Sequence, residues 1–268
     1  MTPATGFGDT VEWPRVPTRD RSRGPGWRAR RLGFSGALVF ALWALAAGPA
    51  AGASPQGGVE TFDVYRPGVY SMQATWTWCT AASVQIMRNI LFTGTDHSSA
   101  NQGQFFAFMR ASNRYQQLNH RGVDPQGFLA GLQRFVDPGY ALVASPTFDA
   151  AVRSAVTRLR ATGKPVALIV AAGRHAWVLT GFTATADPAR TTAFDVVSVR
   201  IVGPLYGRQS INGYDAPPDT TISYAALRRF LLPYRFHFAA TPWTGSFVTF
   251  QPMPMPIPTQ RSAGRSAL

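Results

Sequence analysis

The chain is poor in cysteine and lysine, with one of each, Cys79 and Lys164, in 268 residues. A single cysteine cannot close an internal disulfide or build a cysteine zinc cluster, so a disulfide scaffold and a zinc-finger-like module are both excluded. No metal-ligand pattern or cofactor fingerprint is present, and neither a metal nor a cofactor is expected. Acidic residues are scarce too, 13 against 26 basic ones, giving a net charge of +13. The basic residues are scattered rather than striped, and no Arg/aromatic motif accompanies them, so nucleic acid is not an expected partner. Arg in place of Lys, with abundant Ala, Gly and Pro, reads as GC-rich coding; a basic surface would at most favour anionic cell-wall polymers. Beyond residue 53 no run is long and apolar enough to span a membrane. A hydrophobic content of 46% with 15% charged residues describes one globular domain with appendages.

The amino terminus carries an address. Residues 1–31 are polar and rich in Pro and Arg, ending Arg28-Ala-Arg30-Arg31, and an apolar run from Leu32 to Ala47 follows. Pro49 and the small-residue site Ala51-Gly-Ala53 complete the pattern of a secretory signal peptide over residues 1–53, cleaved after Ala53. The alternative is an uncleaved membrane anchor, because the run lies at the edge of spanning length. In either case the domain, residues 54–251, is expected outside the cytoplasm, secreted or associated with the cell envelope. The tail from 252 to 268 opens Pro-Met-Pro-Met-Pro and is expected to be extended and disordered.

Periodicity divides the domain. A short strand and turn are expected between Val59 and Ser71, around Pro67-Gly68. Val84, Met87 and Leu91 recur at three and four residues, predicting a helix over 79–92 with Thr77 as its cap. Ser98 or Ser99 caps a second helix to Arg110, and Asp124-Pro125 opens a third. Tyr140 to Ala144 reads as a brief strand, and Ser145-Pro146 opens a helix that ends at Gly163. The period then changes to that of strands: 165–170, 176–182, 194–202, 236–240 and 247–250, with a short helix at 223–232. Helices first and sheet second, joined by hairpin connections, imply an α+β fold.

The chemistry concentrates at Gln73-Ala-Thr-Trp-Thr-Trp-Cys79-Thr-Ala-Ala-Ser83. A lone thiol in the first turn of a helix meets unsatisfied N–H groups and the positive dipole end, which stabilise a thiolate. A free cysteine can equally be a small buried hydrophobe. An unpaired thiol in an oxidising compartment is a liability, which favours a reactive role. Of the four histidines, His175 alone opens an apolar strand; His97 and His120 lie in polar loops, and His237 lies in a closing strand.

Three features resemble the papain-like cysteine peptidase superfamily, most closely the small exported bacterial members related to bacteriocin-leader-processing peptidases. Gln73 precedes Cys79 by six residues, Cys79 opens a helix followed by small residues, and Gly173-Arg-His175-Ala-Trp177-Val-Leu-Thr-Gly181-Phe is similar to the family's histidine strand. The resemblance implies a papain-like fold, a helical N-terminal half whose nucleophile helix packs on an antiparallel sheet from the C-terminal half. It implies Cys79 as nucleophile, His175 as general acid/base and Gln73 as oxyanion-hole donor, acting on a peptide or protein substrate. Trp76, Trp78 and Trp177 flank these residues and are either core or the wall of a substrate cleft.

One departure qualifies the match. The family's next strand commonly ends in Asp-Pro, and the carboxylate orients the histidine; here Gly203-Pro204 stands at that place. Asp195 begins the same strand, about 26 Å away if the strand is straight. Asn212 and Asp215 lie in the following loop and could fold back. Three readings therefore stand: an exported cysteine hydrolase, a degenerate binding domain on the same fold, and a cell-wall structural or adhesion domain with Cys79 buried and inert.

Overall fold

The computed structural model describes residues 58–115, 121–208, 215–235 and 240–254. The expected signal segment, His120, Asn212, His237 and residues 255–268 lie outside the described residues. In chain order the elements are β1 (Glu60–Asp63), α1 (Cys79–Leu91), α2 (Ser99–Ala111), α3 (Pro125–Phe135), β2 (Tyr140–Ser145), α4 (Phe148–Thr162), β3 (Val166–Val170), β4 (His175–Ala184), β5 (Val196–Val202), β6 (Thr220–Ser223), α5 (Tyr224–Leu227) and β7 (Phe247–Pro252). The fold is α+β, and among the described residues every strand pairing is antiparallel.

The strands form one seven-stranded sheet in the order β2-β7-β3-β4-β5-β6. β4 is the longest at ten residues, and it organises the rest. Along one edge its first half pairs with β3 and its second half with β1; β5 takes the other edge. Two strands, β1 and β2, come from the N-terminal half, so the sheet is not built from the C-terminal half alone.

Strand periodicity sends alternate side chains to two cores. Ala167, Ile169, Ala176 and Val178 face a cluster with Val84, Met87, Phe105 and Phe128 of α1–α3. Val166, Leu168, Trp177 and Leu179 face the opposite cluster, with Val152, Val156 and Leu159 of α4 and Leu227 of α5. Helices therefore cover both faces of the sheet. This explains why β3 reads as an unbroken apolar run rather than an alternating one.

Helix boundaries follow their caps. Ser98 accepts the N–H of Asn101, and Asp124 accepts that of Gly127 with Pro125 in the first turn. α4 starts later than its Ser-Pro signal suggests, because Thr147 is the residue that accepts from Ala150. Its end is as expected, at Gly163 in the left-handed region with φ 66°. The helix expected over 223–232 shortens to the single turn of α5, preceded by the unanticipated strand β6. β7 continues through Pro252, and the Met253 N–H donates to the Gly139 carbonyl. The ladder thus reaches two residues into the segment expected to be tail.

Candidate active site

Cys79 is the first residue of α1, and no side chain caps that helix. Trp78, not Thr77, occupies the cap position, and no acidic residue stands in the first turn. The dipole end of a thirteen-residue helix is therefore open beside the thiol. Cys79 itself is half-buried, while Thr80 to Met87 behind it are all buried.

His175 arrives from the opposite side, on the first residue of β4. The turn that delivers it runs Ala171–Gly173, and all three residues have positive φ, of 53°, 56° and 106°. Two consecutive alanines in the left-handed region are costly, on the order of 1 kcal/mol each, and must be held from outside. The neighbouring chain does so: the Ala171 N–H donates to the Phe230 carbonyl, and the Arg235 N–H to that of Ala172. A Cβ on Gly173 would come within 2.8 Å of the Tyr234 ring, so the turn is pressed against that ring. His175 is buried, 4% exposed, and hydrogen-bonds the Cys79 side chain.

Of the three carboxylate or amide candidates for a partner to His175, Asp215 is the one whose side chain reaches the ring among the described residues. Its Oδ2 lies 3.0 Å from His175 Nε2 and accepts the Leu205 N–H at 2.7 Å. Its Oδ1 accepts the Trp177 indole N–H at 2.7 Å. With Nε2 held by Asp215, Nδ1 is the imidazole nitrogen that serves the Cys79 sulfur. His175 and Trp177 sit two apart on β4 and so project to one side, where a single carboxylate binds both.

Gly203 explains how Asp215 gets there. A Cβ at 203 would fall 2.5 Å from Asp215 Oδ2 and 2.7 Å from its Cβ, closer than real contacts allow. The missing side chain at the end of β5 is the space that the Asp215 carboxylate fills. Burial alone would push the His175 pKa down. The charge and hydrogen bond of Asp215, with the Cys79 contact added, outweigh it and raise the pKa from 6.5 to about 10.

The loop that leads into Cys79 is clamped by a buried polar network that sequence reasoning missed. Gln102 of α2, 1% exposed, donates through Nε2 to the Met72 carbonyl at 2.9 Å and accepts the Ala74 N–H at 2.9 Å. It thereby grips the backbone on both sides of Gln73. Ser71 and Gln85 complete the cluster, with the Ser71 hydroxyl and Gln102 Nε2 both donating to Gln85 Oε1. From the other side the Gln73 N–H donates to the Pro204 carbonyl, and Arg208 donates to the carbonyls of Gln73 and Ala74.

Gln73 is buried, and its side chain does not line the cleft. Its amide Nε2 donates one hydrogen to the Thr75 carbonyl at 2.7 Å, and Oε1 is buried without a partner.

The cleft itself runs past Trp76, Cys79, Arg121, Ile169, Arg174 and His175. Of the three tryptophans, Trp76 alone is on its wall, 54% exposed, with the Arg208 guanidinium 4.9 Å from its ring centroid. Trp78 stacks on Phe106 at 5.4 Å and belongs to the helical core. Trp177 is 2% exposed and packs on Phe230 at 4.8 Å; it serves the site through its N–H and not as a wall.

The remaining candidates separate cleanly. Asp195 is exposed beside the far end of β4, where its backbone carbonyl accepts the Thr185 N–H. His97 is exposed in a loop, as expected. Among the described residues no group of His, Cys, Asp and Glu could hold a metal ion, and no helix is long and apolar enough to cross a membrane. The signals that point to Asp215 are the vacancy at Gly203 and an inward-facing indole at Trp177 that requires an acceptor. Searches of family models, curated proteins and solved structures found no match to this chain.

Proposed function

We propose that the protein is a papain-like cysteine hydrolase that cleaves a peptide or amide bond. The observation that carries this reading is the continuous chain Cys79–His175–Asp215, assembled from α1, β4 and the loop after β5. His175 takes the thiol proton, so that Cys79 attacks as thiolate. The sulfur attacks the carbonyl carbon, and the electron pair moves to the oxygen, which the Cys79 N–H and the second Gln73 amide hydrogen receive. Collapse of that adduct breaks the C–N bond, and His175 gives its proton to the departing amine. Water, deprotonated by His175, then hydrolyses the thioester and releases the acid. Asp215 holds the ring in one tautomer throughout.

The basic flank, apolar run and small-residue site before Ser54 support an exported enzyme, secreted or envelope-associated, acting on a peptide or protein there. A binding domain with an inactive site is the second reading, favoured by one observation: Gln73 commits a hydrogen to Thr75 and does not line the cleft.

Alkylation by iodoacetamide tests the first reading. At pH 6, Cys79 is expected to react at least about tenfold faster than free cysteine, and His175→Ala to abolish the difference. Equal, slow rates in both proteins would overturn it.

A further inference from the structure

We propose that Thr80 is the recognition group of the Cys79 cleft and selects a short, uncharged substrate side chain that carries a hydroxyl or an amide. The proposal rests on the hydrolase reading and names its substrate class. Thr80 follows Cys79 as the second residue of α1, lines the same cleft and is 4% exposed. Its hydroxyl is buried, and no described group hydrogen-bonds it. A threonine within a helix ordinarily returns its hydroxyl to a carbonyl three or four residues back. For Thr80 those residues are Thr77 and Trp76, which precede the cap Trp78, so no earlier helical turn offers that carbonyl.

The surroundings of that hydroxyl are apolar. Val123, Ile169 and Ala176 line the cleft with Thr80 and belong to the core shared with α1–α3. Valine has the shape of threonine and would fill this position without stranding a polar atom, so packing alone does not call for a hydroxyl. Unpaired buried polar atoms are rare, and one on a residue of a cleft wall is a bonding group for what enters. The cleft has a volume of about 250 Å³, below the roughly 300–1,000 Å³ of small-molecule pockets, and it must also admit the reacting amide. A short side chain is what fits. No described Asp or Glu lines the cleft, so a cationic side chain would find no counter-charge there. A hydroxyl both donates and accepts, and therefore suits a hydroxyl or an amide equally. An apolar side chain in the same place leaves Thr80 unpaired, which is the source of the discrimination.

Chloroacetyl amino-acid amides read the cleft directly on the intact chain. The Cys79 thiolate attacks the chloromethyl carbon, a C–S bond forms and chloride leaves, which places the amino-acid side chain a few bonds from the sulfur. Two isosteric pairs are compared, threonyl with valyl and asparaginyl with leucyl, each rate divided by that of the same reagent with free cysteine. The polar member of at least one pair is expected to react about tenfold faster than its apolar isostere. That preference should vanish in Thr80→Val and persist in Thr80→Ser. Taking the ratio within each protein cancels any change in thiolate reactivity. Ratios near one in the wild type, or a preference that survives Thr80→Val, overturn the proposal.

Urea unfolding supplies a second readout. Thr80→Val should unfold at the wild-type midpoint or above it, because no internal hydrogen bond is lost. A lower midpoint would show that the hydroxyl is bonded within the protein, and overturns the proposal. Failure of the two readings is distinguishable: if the wild type reacts with iodoacetamide at pH 6 no faster than free cysteine does, the hydrolase reading falls. If it reacts fast while the isostere ratios stay near one, only selection by Thr80 falls.

Discussion

Gly203→Ala is the smallest change that tests how Asp215 is seated. The added methyl would lie 2.5 Å from Asp215 Oδ2 and 2.7 Å from its Cβ, so one of the two groups must move. Asp215 cannot retreat without cost, because its oxygens are held at 3.0 Å by His175, 2.7 Å by Trp177 and 2.7 Å by the Leu205 N–H. Overpacking at a filled site costs about 1–3 kcal/mol, and each hydrogen bond to a charged group about 1.5–3 kcal/mol. Partial loss of the three bonds, with some relaxation, gives an expected destabilisation of about 3 kcal/mol. In urea, with a slope of about 2 kcal/mol per molar, the midpoint should fall by roughly 1.5 M. Gly58→Ala is the control, since nothing lies within 4 Å of the added methyl there. The same Gly203→Ala protein should lose most of the Cys79 alkylation rate at pH 6, because the imidazole loses its orienting partner. A midpoint within roughly 0.3 M of wild type, with alkylation unchanged, would refute the packing of Asp215 into the Gly203 space.

Other perturbations reach the same site from different sides. Trp177→Phe replaces the buried indole by a smaller ring and removes the N–H that Asp215 accepts; the lost hydrogen bond alone is expected to cost about 1–2 kcal/mol by urea unfolding, with the lost packing added to it. Gln102→Leu strands the Met72 carbonyl and the Ala74 N–H and should cost about 2 kcal/mol or more. It should also slow Cys79 alkylation, although Gln102 does not line the cleft; an unchanged rate would show that the clamp does not set the position of the loop that leads into Cys79. The His175 pKa is raised in the folded state, so the stability it supplies is complete below 6.5 and disappears as pH rises through about 10. The stability gap between wild type and Asp215→Asn should accordingly narrow from pH 6 to pH 10.5, and a gap that widens would contradict the assigned pair.

What could be read from the residues follows what is local. Asp124 and Ser98 announce their helices because a cap bonds three residues away, and Gly163 ends α4 by its own backbone freedom. Cys79 and His175 are visible for a similar reason, since a helix start and a strand start frame each of them. Asp215 is different: its partners His175 and Trp177 lie 40 and 38 residues away, and no spacing rule links a loop carboxylate to a strand it folds back on. Gly203 appears as a loss when compared with a family pattern, and as a cavity only once Asp215 is seen to occupy it. Trp177 is legible as core or as cleft wall, and neither reading names the hydrogen bond its indole N–H gives Asp215. The Gln102 clamp joins α2 to a loop 28 residues earlier, and an amide on a helix carries no mark of the backbone it will grip. β6 and the shortened α5 fall in a polar stretch whose pairing with β5 is decided by the sheet, not by its own periodicity.

The central claim is that His175 stays protonated between Asp215 and the Cys79 sulfur. The most direct test is the ring ¹⁵N shift of His175 followed from pH 5 to pH 11. Both ring nitrogens should remain protonated through pH 8, with titration centred near 10. A neutral imidazole at pH 8, titrating near 6.5 and unaffected by Asp215→Asn, would contradict the account.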